Sequence, residues 1–546
     1  MTLLSDLPYE ILLYLFDYLP VRSDLSHCRE TCKRLADVIT PLLFRELRVP
    51  IRNRTKIGRL MYTLGLPINH FRHTRSIVFI DEPTTRPSLP QFSVFEFKTS
   101  SRCPLDDIET KDFSDTEVRL MAWVIIMMLP VHSLYTVRFI SYYTHSILNY
   151  DFFRALEYTQ NQLAHLHSTL PCTMGVVVLP WVLKTLEVEI LDRSQLHGLL
   201  MDNLWSGELS MLRRLSISAR RGQTLTWHWP KKDYNKARPG KPAAALRELK
   251  IMRISLGQES LSWWSSLTHI QMLEYLDVRF CPQVCEFLTL LGISDIPHAL
   301  SLRTLSVEIE ENRYHDDLDS CIQPVFERCP LLCTVHVGWP RYREHGLQSL
   351  IHPAKKMLWG QRLTTLSLHL TGRHFVPQHT VSNHYLADLL GSYPQMEYLG
   401  LQIPEYLLDD DPYAHSQLSH FLSILGSHSN LRVLHLRQPQ QRSAGQKSQR
   451  EIYWEVQNLA NRAFNYILRL FPRSKLNVLV VGLSWDDTLN ARAWGTRNLR
   501  QCCFVRAQQT TLLGHCFGMG AYVPVSELRE SDLGVAEFLD CEPVLY

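Results

Sequence analysis

One short pattern recurs along most of this chain and limits what the chain can fold into. The pattern is apolar-x-x-apolar-x-apolar, and its nine regular copies are LKTLEV, LRRLSI, LRELKI, LEYLDV, LRTLSV, LCTVHV, LTTLSL, MEYLGL and LRVLHL, starting at Leu183, Leu212, Leu246, Leu273, Leu302, Leu332, Leu363, Met396 and Leu431. Successive copies start 29, 34, 27, 29, 30, 31, 33 and 35 residues apart. A single copy says little, but this many at nearly constant spacing indicate a repeat architecture.

The segments between copies have helical spacing. Leu386, Leu389 and Leu390 lie on one side of a predicted helix, and Gly426 is expected to end another. Ser114 followed by Glu117 has the form of a capping box at a helix start. Each repeat is therefore predicted to be a strand followed by a helix. Such units bury their apolar faces only by stacking on one another.

This pattern resembles the leucine-rich repeat, although its period lies slightly above the usual range. The resemblance implies an α/β solenoid with a curved parallel sheet inside and helices outside. Further copies at Leu134 and Leu476 extend the expected solenoid over residues 131–490. Residues 49–130 are expected to be a connecting segment and N-terminal cap, and residues 491–546 a C-terminal cap or tail whose role the sequence leaves open.

Composition narrows the class of function. The chain has 546 residues, 45% of them hydrophobic, and a net charge of +3, so no overall field favours nucleic acid or an anionic membrane. The longest apolar run, residues 121–129, is too short to cross a bilayer. The N-terminus has no basic segment of the kind that opens a secretory signal, so such a signal is not expected. The 13 cysteines are interpreted as reduced thiols of a cytoplasmic or nuclear protein.

The first 48 residues are organised differently from the repeats. Pro8 suits the first turn of a helix, whose apolar side chains continue to Leu19 before Pro20 ends it. Asp24 is placed to cap a second helix, in which Leu25, Cys28, Cys32 and Leu35 recur at helical spacing. Cys28 and Cys32 are expected on the buried face of that helix. So short a segment with so many apolar residues is expected to dock on something else.

The segment LPYEILLYLFDYLPVRSDLSHCRETCKRLADV, residues 7–38, closely resembles the F-box, and the exit segment PLLFREL is similar to that of fungal members. The resemblance implies an all-α F-box over residues 1–48 that binds the Skp adaptor of cullin–RING ubiquitin ligases. The positions that correspond to adaptor-binding positions of the family are Leu7, Pro8, Ile11, Leu12, Leu15, Leu19, Pro20, Leu25 and Cys32. Leu35 departs from the family, many of whose members have Trp there.

In the repeats, the residues between the motif leucines should share the opposite face of the sheet, because side chains alternate along a strand. Acidic and basic residues nearly balance on this face, which suits a protein target better than a polyanion. Large side chains with polar ends dominate interface hot spots. Tyr275, Arg279, Tyr398 and Arg437 are therefore the candidate target anchors.

Other chemistry is weaker in the sequence. The CxxxC pairs, such as Cys281 with Cys285, lack a second half-site, and His336, His369 and His435 lack companions at ligand spacing, so no metal or cofactor is expected. The segment from Gly514, GHCFGMG, lacks a phosphate-binding signature and is interpreted as a turn. The basic residues between Lys231 and Lys241 are interpreted as a solvated loop.

The sequence thus predicts a non-catalytic substrate-recognition subunit of a Skp–cullin–F-box ubiquitin ligase. The F-box would bind the adaptor, and the repeats would bind an unidentified target protein. A non-degradative scaffold or regulatory protein built on the same modules fits the sequence equally well. An enzyme or a nucleic-acid binder that works through the loops is disfavoured by the lack of a recognisable site.

Overall fold

The computed structural model describes residues 4, 7–17, 22–65, 70–81, 112–141, 148, 150–169, 179, 182–205, 209–220, 223–227, 245–267, 269–293, 299–309, 318–339, 362–370, 382–402, 412–437, 449–482, 502–510, 516–523, 528 and 533–540. The chain divides into two compact units, with the division falling between the strands at Arg214–Ala219 and Glu248–Met252. The sequence did not predict this division.

The first unit begins with three helices, α1 (Tyr9–Asp17), α2 (Arg22–Thr31) and α3 (Lys33–Phe44). The predicted second helix is in fact two, because Cys32 has an extended backbone with φ −159° and ψ 159°. A carbonyl at this break starts α3, since the amide of Ala36 donates to the oxygen of Cys32 at 2.9 Å.

Six parallel strands follow within the described residues of the first unit. They are β1 (Glu46–Pro50), β2 (Ser76–Asp81), β3 (Thr136–Ser141), β4 (His165–Thr169), β5 (Thr185–Ile190) and β6 (Arg214–Ala219). The helices between them are α4 (Arg54–Leu64), α5 (Asp115–Met128), α6 (Tyr150–Thr159) and α7 (Arg193–His197), which continues as a π-helical segment, Gly198–Trp205. The predicted capping box at α5 is confirmed, with the Ser114 amide donating to Glu117 Oε2 at 2.7 Å.

Three of these strands were not predicted, and two of them lie before residue 131. The strand β1 does fit the pattern, as FRELRV from Phe44. The pattern is hidden at β2 and β4 because polar residues, Thr74 and Ser168, take apolar positions and are nevertheless buried. The hydroxyl of Thr74 donates to the carbonyl oxygen of Phe44 at 2.9 Å, which offsets the cost of its burial.

The second unit contains ten strands in the part of the chain that the structure describes. Parallel neighbours are β7 (Glu248–Met252), β8 (Tyr275–Arg279), β9 (Thr304–Glu308), β10 (Thr334–Trp339), β11 (Thr365–Leu370), β12 (Tyr398–Gln402), β13 (Val433–Arg437) and β14 (Val478–Val481). The last two, β15 (Cys502–Thr510) and β16 (Cys516–Val523), are antiparallel to their neighbours. All nine regular copies of the sequence pattern thus form strands, and equivalent positions pair with one another within each unit.

Helices of the second unit are α8 (Gln258–Leu267), α9 (Val284–Ile293), α10 (Leu318–Arg328), α11 (Asn383–Ser392), α12 (Pro412–Ser427), α13 (Gln449–Leu470) and α14 (Leu533–Asp540). Gly426 lies within α12 and does not end it, contrary to the prediction. A Cβ atom at Gly426 would lie 2.5 Å from the ring of Phe471, so close packing requires the glycine.

The motif apolar residues form the core of each unit. Leu186 and Leu215 in the first unit, and Leu276 and Leu305 in the second, are completely buried. They occupy alternate positions of their strands and therefore share one face of the sheet. Among the described residues, no helix is long and apolar enough to span a membrane.

One buried ion-pair network ties strands to a helix within the first unit. Arg52, just after β1, donates from Nε to Asp81 Oδ1 at 2.5 Å and from Nη2 to Asp115 Oδ1 at 2.7 Å. Its third nitrogen donates to the carbonyl oxygen of Phe113 at 3.1 Å. Arg52 and Asp81 are buried, so this guanidinium is compensated by protein groups on all sides.

Candidate adaptor-binding and target-binding surfaces

The N-terminal helices leave large apolar side chains in water. Five of them are between 42% and 62% exposed: Leu4, Tyr9, Ile11, Tyr14 and Leu15. Ile11 and Leu15 are four residues apart on α1 and lie on one side of that helix. Ile11, Tyr14 and Leu15 fall within about 100° around α1 and form an exposed apolar patch of the kind that marks a protein-binding surface.

A second side of the same helix is turned inward. Leu12 and Phe16 are buried, as are Leu25 on α2 and Leu35 on α3. Leu12 and Leu25 were predicted to contact the adaptor, and the structure places them in the interior of the protein instead. The reason is helical geometry, because a residue at i+1 is rotated by about 100° from its neighbour and faces a different environment.

The other predicted adaptor residues have mixed settings. Leu7 is half-buried, Pro8 and Cys32 are exposed, and Leu19 and Pro20 lie outside the described residues. The carbonyl oxygen of Leu7 accepts a hydrogen bond from Arg34 Nη2 at 2.7 Å, which joins the start of α1 to α3.

The sheet face opposite the motif leucines remains accessible in the first unit. Arg138 and Arg214 are exposed, and Glu187 and Glu189 are half-buried. His167 Nδ1 lies 3.2 Å from Glu187 Oε2 on the neighbouring strand. This face therefore offers both signs of charge to a partner, as predicted for a protein target.

The corresponding face of the second unit is closed at β8 and β9. Arg279 donates to both carboxylate oxygens of Asp277, at 2.7 and 2.9 Å, and lies opposite Glu308 in the strand register. Burial alone would lower the pKa of Arg279, but Asp277 and then Glu308 raise that pKa above its ordinary value. Arg279 was predicted to be an exposed target anchor. It is instead the buried cation of an internal cluster.

Tyr275 is the most accessible of the predicted anchors whose side chains are described. Its side chain is half-buried, and Lys250 Nζ lies 4.9 Å from the centre of its ring. The hydroxyl also donates to Asp277 Oδ2 at 3.5 Å. The structure describes the backbone of Arg437 but not its side chain.

Tyr398 is buried, so the expectation that its side chain faces solvent is wrong. It belongs to an apolar cluster that covers this face of the sheet at its C-terminal end, formed by Tyr398, Val433, Val478, Val480, Cys503, Leu528, Val535, Phe538 and Leu539. Three of these residues, Val535, Phe538 and Leu539, come from α14. The C-terminal segment, to which the sequence assigned no role, therefore covers part of the predicted target face.

Most of the cysteines and histidines considered as metal ligands are packed inside the protein. Burial raises the pKa of Cys281 and of Cys329 to about 12, so both thiols are protonated at neutral pH. His336 and His435 are buried beneath α14, and the side chain of His369 is not described. The described part of the chain contains no group of three or more residues suited to a metal ion.

The cysteines of the F-box-like segment differ from this pattern. Cys28 and Cys32 were expected on a buried helix face, but the first is half-buried and the second is exposed. The break between α2 and α3 at Cys32 is the reason, because it ends the single helix on which both residues would have shared one face.

The sequence predicts a turn from Gly514 and a solvated loop between Lys231 and Lys241. The segment from Gly514 is not simply a turn, because residues from Cys516 onward form β16. Its glycines allow close packing on α13, since a Cβ atom at Gly518 would lie 2.5 Å from the carbonyl oxygen of Phe464. The basic residues between Lys231 and Lys241 lie outside the described residues.

Comparison with known families supports the N-terminal assignment. The family model of F-box-like domains matches residues 4–49. That range contains α1, α2 and α3, the exposed apolar side chains and most of β1. No curated protein matches the chain. The match supports an F-box protein, and F-box-like domains generally bind the Skp adaptor and act as non-catalytic substrate adaptors.

The sequence does not point to several residues of the two candidate sites. Leu4, Tyr9 and Tyr14 are also exposed apolar side chains of this segment but do not define the F-box motif. Phe538 could have been noticed, because Val535, Phe538 and Leu539 have helical spacing. Nothing in that spacing says which strands the helix would contact.

Proposed function

We propose that this chain is the substrate-recognition subunit of a Skp–cullin–F-box ubiquitin ligase. In this proposal the N-terminal helices bind the adaptor, and the strand-and-helix repeats are a leucine-rich-repeat solenoid that holds a target protein. The chain supplies no nucleophile. It brings a lysine of the target close to the enzyme that carries ubiquitin, which raises the effective concentration of that lysine.

The exposed apolar patch on the F-box-like helices is the observation that carries the adaptor half of the proposal. Ile11 and Leu15 lie in water on α1, while Leu12 and Phe16 on the same helix are buried. Burying one such aliphatic side chain against a partner stabilises a complex by roughly 1.5–3 kcal/mol. Several exposed side chains of this size together offset part of the cost of association.

The register of the strands supports the part of the proposal that concerns the repeats. Leu249, Leu276 and Leu305 pair in adjacent strands, as equivalent residues of consecutive repeats should. In the first unit, the solvent-accessible, mixed-charge face of β3 to β6 suits a protein target. In the second unit, the half-buried Tyr275 on β8 stays a candidate contact.

A double substitution tests adaptor binding. We expect Ile11→Asp with Leu15→Asp to abolish co-purification of the Skp adaptor, because both new carboxylates would have to be desolvated in the interface. Leu12 is avoided because a charge at that buried position would unfold the helices. The measurement is adaptor bound per molecule of purified full-length chain.

The matched control is Leu120→Asp with Met127→Asp on α5. These residues are also exposed and apolar, at 52% and 48%, but lie outside the F-box-like range. We expect this control to bind the adaptor as the parent does. Undiminished adaptor binding by the Ile11 and Leu15 variant, with helical content intact, would remove the basis of the proposal.

A further inference from the structure

The helix α14 lies on the sheet face that the sequence assigns to target recognition. The side chain of Phe538 is buried, with 2% of it exposed, and its ring approaches three aromatic side chains from three different strands. Its centroid lies 6.3 Å from that of His336 on β10, 5.7 Å from that of Tyr398 on β12 and 6.4 Å from that of His435 on β13. Phe538 thus meets side chains from three different repeats.

The strand register explains why an aromatic ring fits there. His336, Ser367, Gly400 and His435 occupy one row across β10 to β13, since each pairs with the next. The two inner residues of this row are small and the two outer ones are large. The row therefore forms a recess with an imidazole on either side and room for a ring between them.

One wall of the recess is fixed by a hydrogen bond. His435 Nε2 lies 2.5 Å from the carbonyl oxygen of Gly482, and because a carbonyl only accepts, Nε2 carries the proton. This bond orients the imidazole whose edge meets Phe538 at an interplanar angle of 82°. Beyond it the face becomes apolar, with Val433, Val478 and Val480 in the cluster around α14.

The contacting side of α14 has the form of a short recognition helix. Among the residues of α14 whose side chains are described, Val535, Phe538 and Leu539 are buried, at spacings of three and one. This is how amphipathic peptides present anchors to a groove. A helix of eight residues has almost no stability in water by itself, so α14 is held in place by this packing.

We propose that α14 is a built-in occupant of a target-binding recess formed by His336, Tyr398 and His435. The target would insert an amphipathic helix that carries an aromatic residue, and would displace α14 to do so. The proposal deepens the proposed function and rests on it for the nature of the target. A tethered competitor lowers the apparent affinity by the fraction of molecules in which the recess is open, so only a target with matching anchors would bind.

The first test uses a labelled synthetic peptide with the sequence of residues 528–546, added to the full-length chain. We expect the Phe538→Ala chain to bind the peptide at least about tenfold more tightly than the parent does, because its own helix is loosened. A peptide with the same Phe538→Ala change should bind neither chain. Equal binding of the normal peptide by both chains would overturn the proposal.

A second test needs no substitution and decides the matter if the Phe538→Ala chain does not fold. Hydrogen exchange of the parent chain compares amides of α14 with those of β13, Val433–Arg437. A displaceable helix opens locally, so its amides should exchange at least about 100-fold faster than those of the strand. Equally slow exchange would mean that α14 opens only when the second unit unfolds, and the proposal would be wrong.

The adaptor-binding measurement separates the two proposals. The Ile11→Asp with Leu15→Asp chain should lose the adaptor and still show the same peptide and exchange behaviour. Loss of adaptor binding in this variant, with α14 unchanged, is therefore informative about the F-box alone. A chain that binds the adaptor normally but keeps α14 firmly fixed would contradict the recess proposal alone.

Discussion

The ring of Tyr398 on β12 lies 5.7 Å from the ring of Phe538 on α14, centroid to centroid, with an angle of 41° between the planes. This contact joins the C-terminal part of the sheet to the last described helix of the chain. It also changes the role of Tyr398, which the sequence presents as an accessible anchor for a target. Part of the aromatic surface that a target would meet on β12 is already covered by the protein itself.

Replacing Tyr398 should therefore cost stability. We expect Tyr398→Ala to destabilise the second unit by about 3–5 kcal/mol, the range for deleting a buried aromatic side chain. Tyr275→Ala is the control, because that half-buried residue stands on an equivalent position of β8. Its cost should be at most about 1 kcal/mol. Urea unfolding followed by tryptophan fluorescence measures both, and similar losses from the two variants would contradict the structure.

Substitutions of two residues on α1 should affect two different properties, folding stability in one case and adaptor binding in the other. Leu12→Ala removes a completely buried side chain and should destabilise the first unit by about 2–5 kcal/mol. Leu15→Ala should leave stability within about 0.5 kcal/mol of the parent, because Leu15 is exposed. Thermal unfolding reports the first effect, and adaptor affinity reports the loss expected for Leu15→Ala. A Leu12→Ala chain as stable as Leu15→Ala would show that the two sides of α1 are assigned wrongly.

The buried guanidinium of Arg52 should contribute far more to the free energy of unfolding than an exposed guanidinium does. Arg52→Met leaves the buried carboxylate of Asp81 without its cation, and we expect a loss of about 3–5 kcal/mol. Arg48→Met is the control, since Arg48 Nε lies 2.6 Å from Glu46 Oε1 but both side chains are partly exposed. That pair should contribute at most about 1 kcal/mol. Chemical unfolding measures both variants, and equal effects would argue against a closed network.

Replacing each of two helix glycines with alanine should change the stability of the protein in opposite directions. Gly426→Ala places a methyl group against the ring of Phe471 and should destabilise the protein by about 1–3 kcal/mol. Gly391→Ala on α11 meets no atom within 4 Å and should stabilise it by up to about 1 kcal/mol, through helix propensity. The comparison is made by thermal unfolding. A stabilising Gly426→Ala would mean that the α12 surface is not packed against Phe471.

The sequence predicts the strands well because their signal is local and repeated. Leu276 and Leu305 recur at a fixed offset, and every copy adds evidence for the others. It fails where a polar side chain replaces an apolar one, as at Thr74 and Ser168, because only the folded backbone supplies the hydrogen-bond partner that permits burial. The additional helix break at Cys32 has no signal from glycine or proline.

The surfaces were harder to predict than the strands. The alternation of side chains correctly placed Arg279 and Tyr398 on the face away from the motif leucines. It could not reveal that Asp277 and Glu308 enclose the first, or that Phe538 covers the second, because those contacts depend on the folded arrangement of several elements. Periodicity therefore assigns a side chain to a face, but solvent exposure depends on what else packs there.

The junction between the F-box-like helices and the first strand has a consequence for how a target could be modified. Only Arg45 separates the end of α3 at Phe44 from the start of β1 at Glu46. The carbonyl oxygen of Arg45 accepts from the amides of Arg75 and Ser76, at 2.8 and 3.0 Å. No flexible linker lies between the two elements, so they lack the freedom of movement that such a linker gives to connected modules. In the proposed ligase, a target held by the first unit would meet the ubiquitin-carrying enzyme across a fixed gap, so the position of a lysine would decide its modification more than the sequence around it.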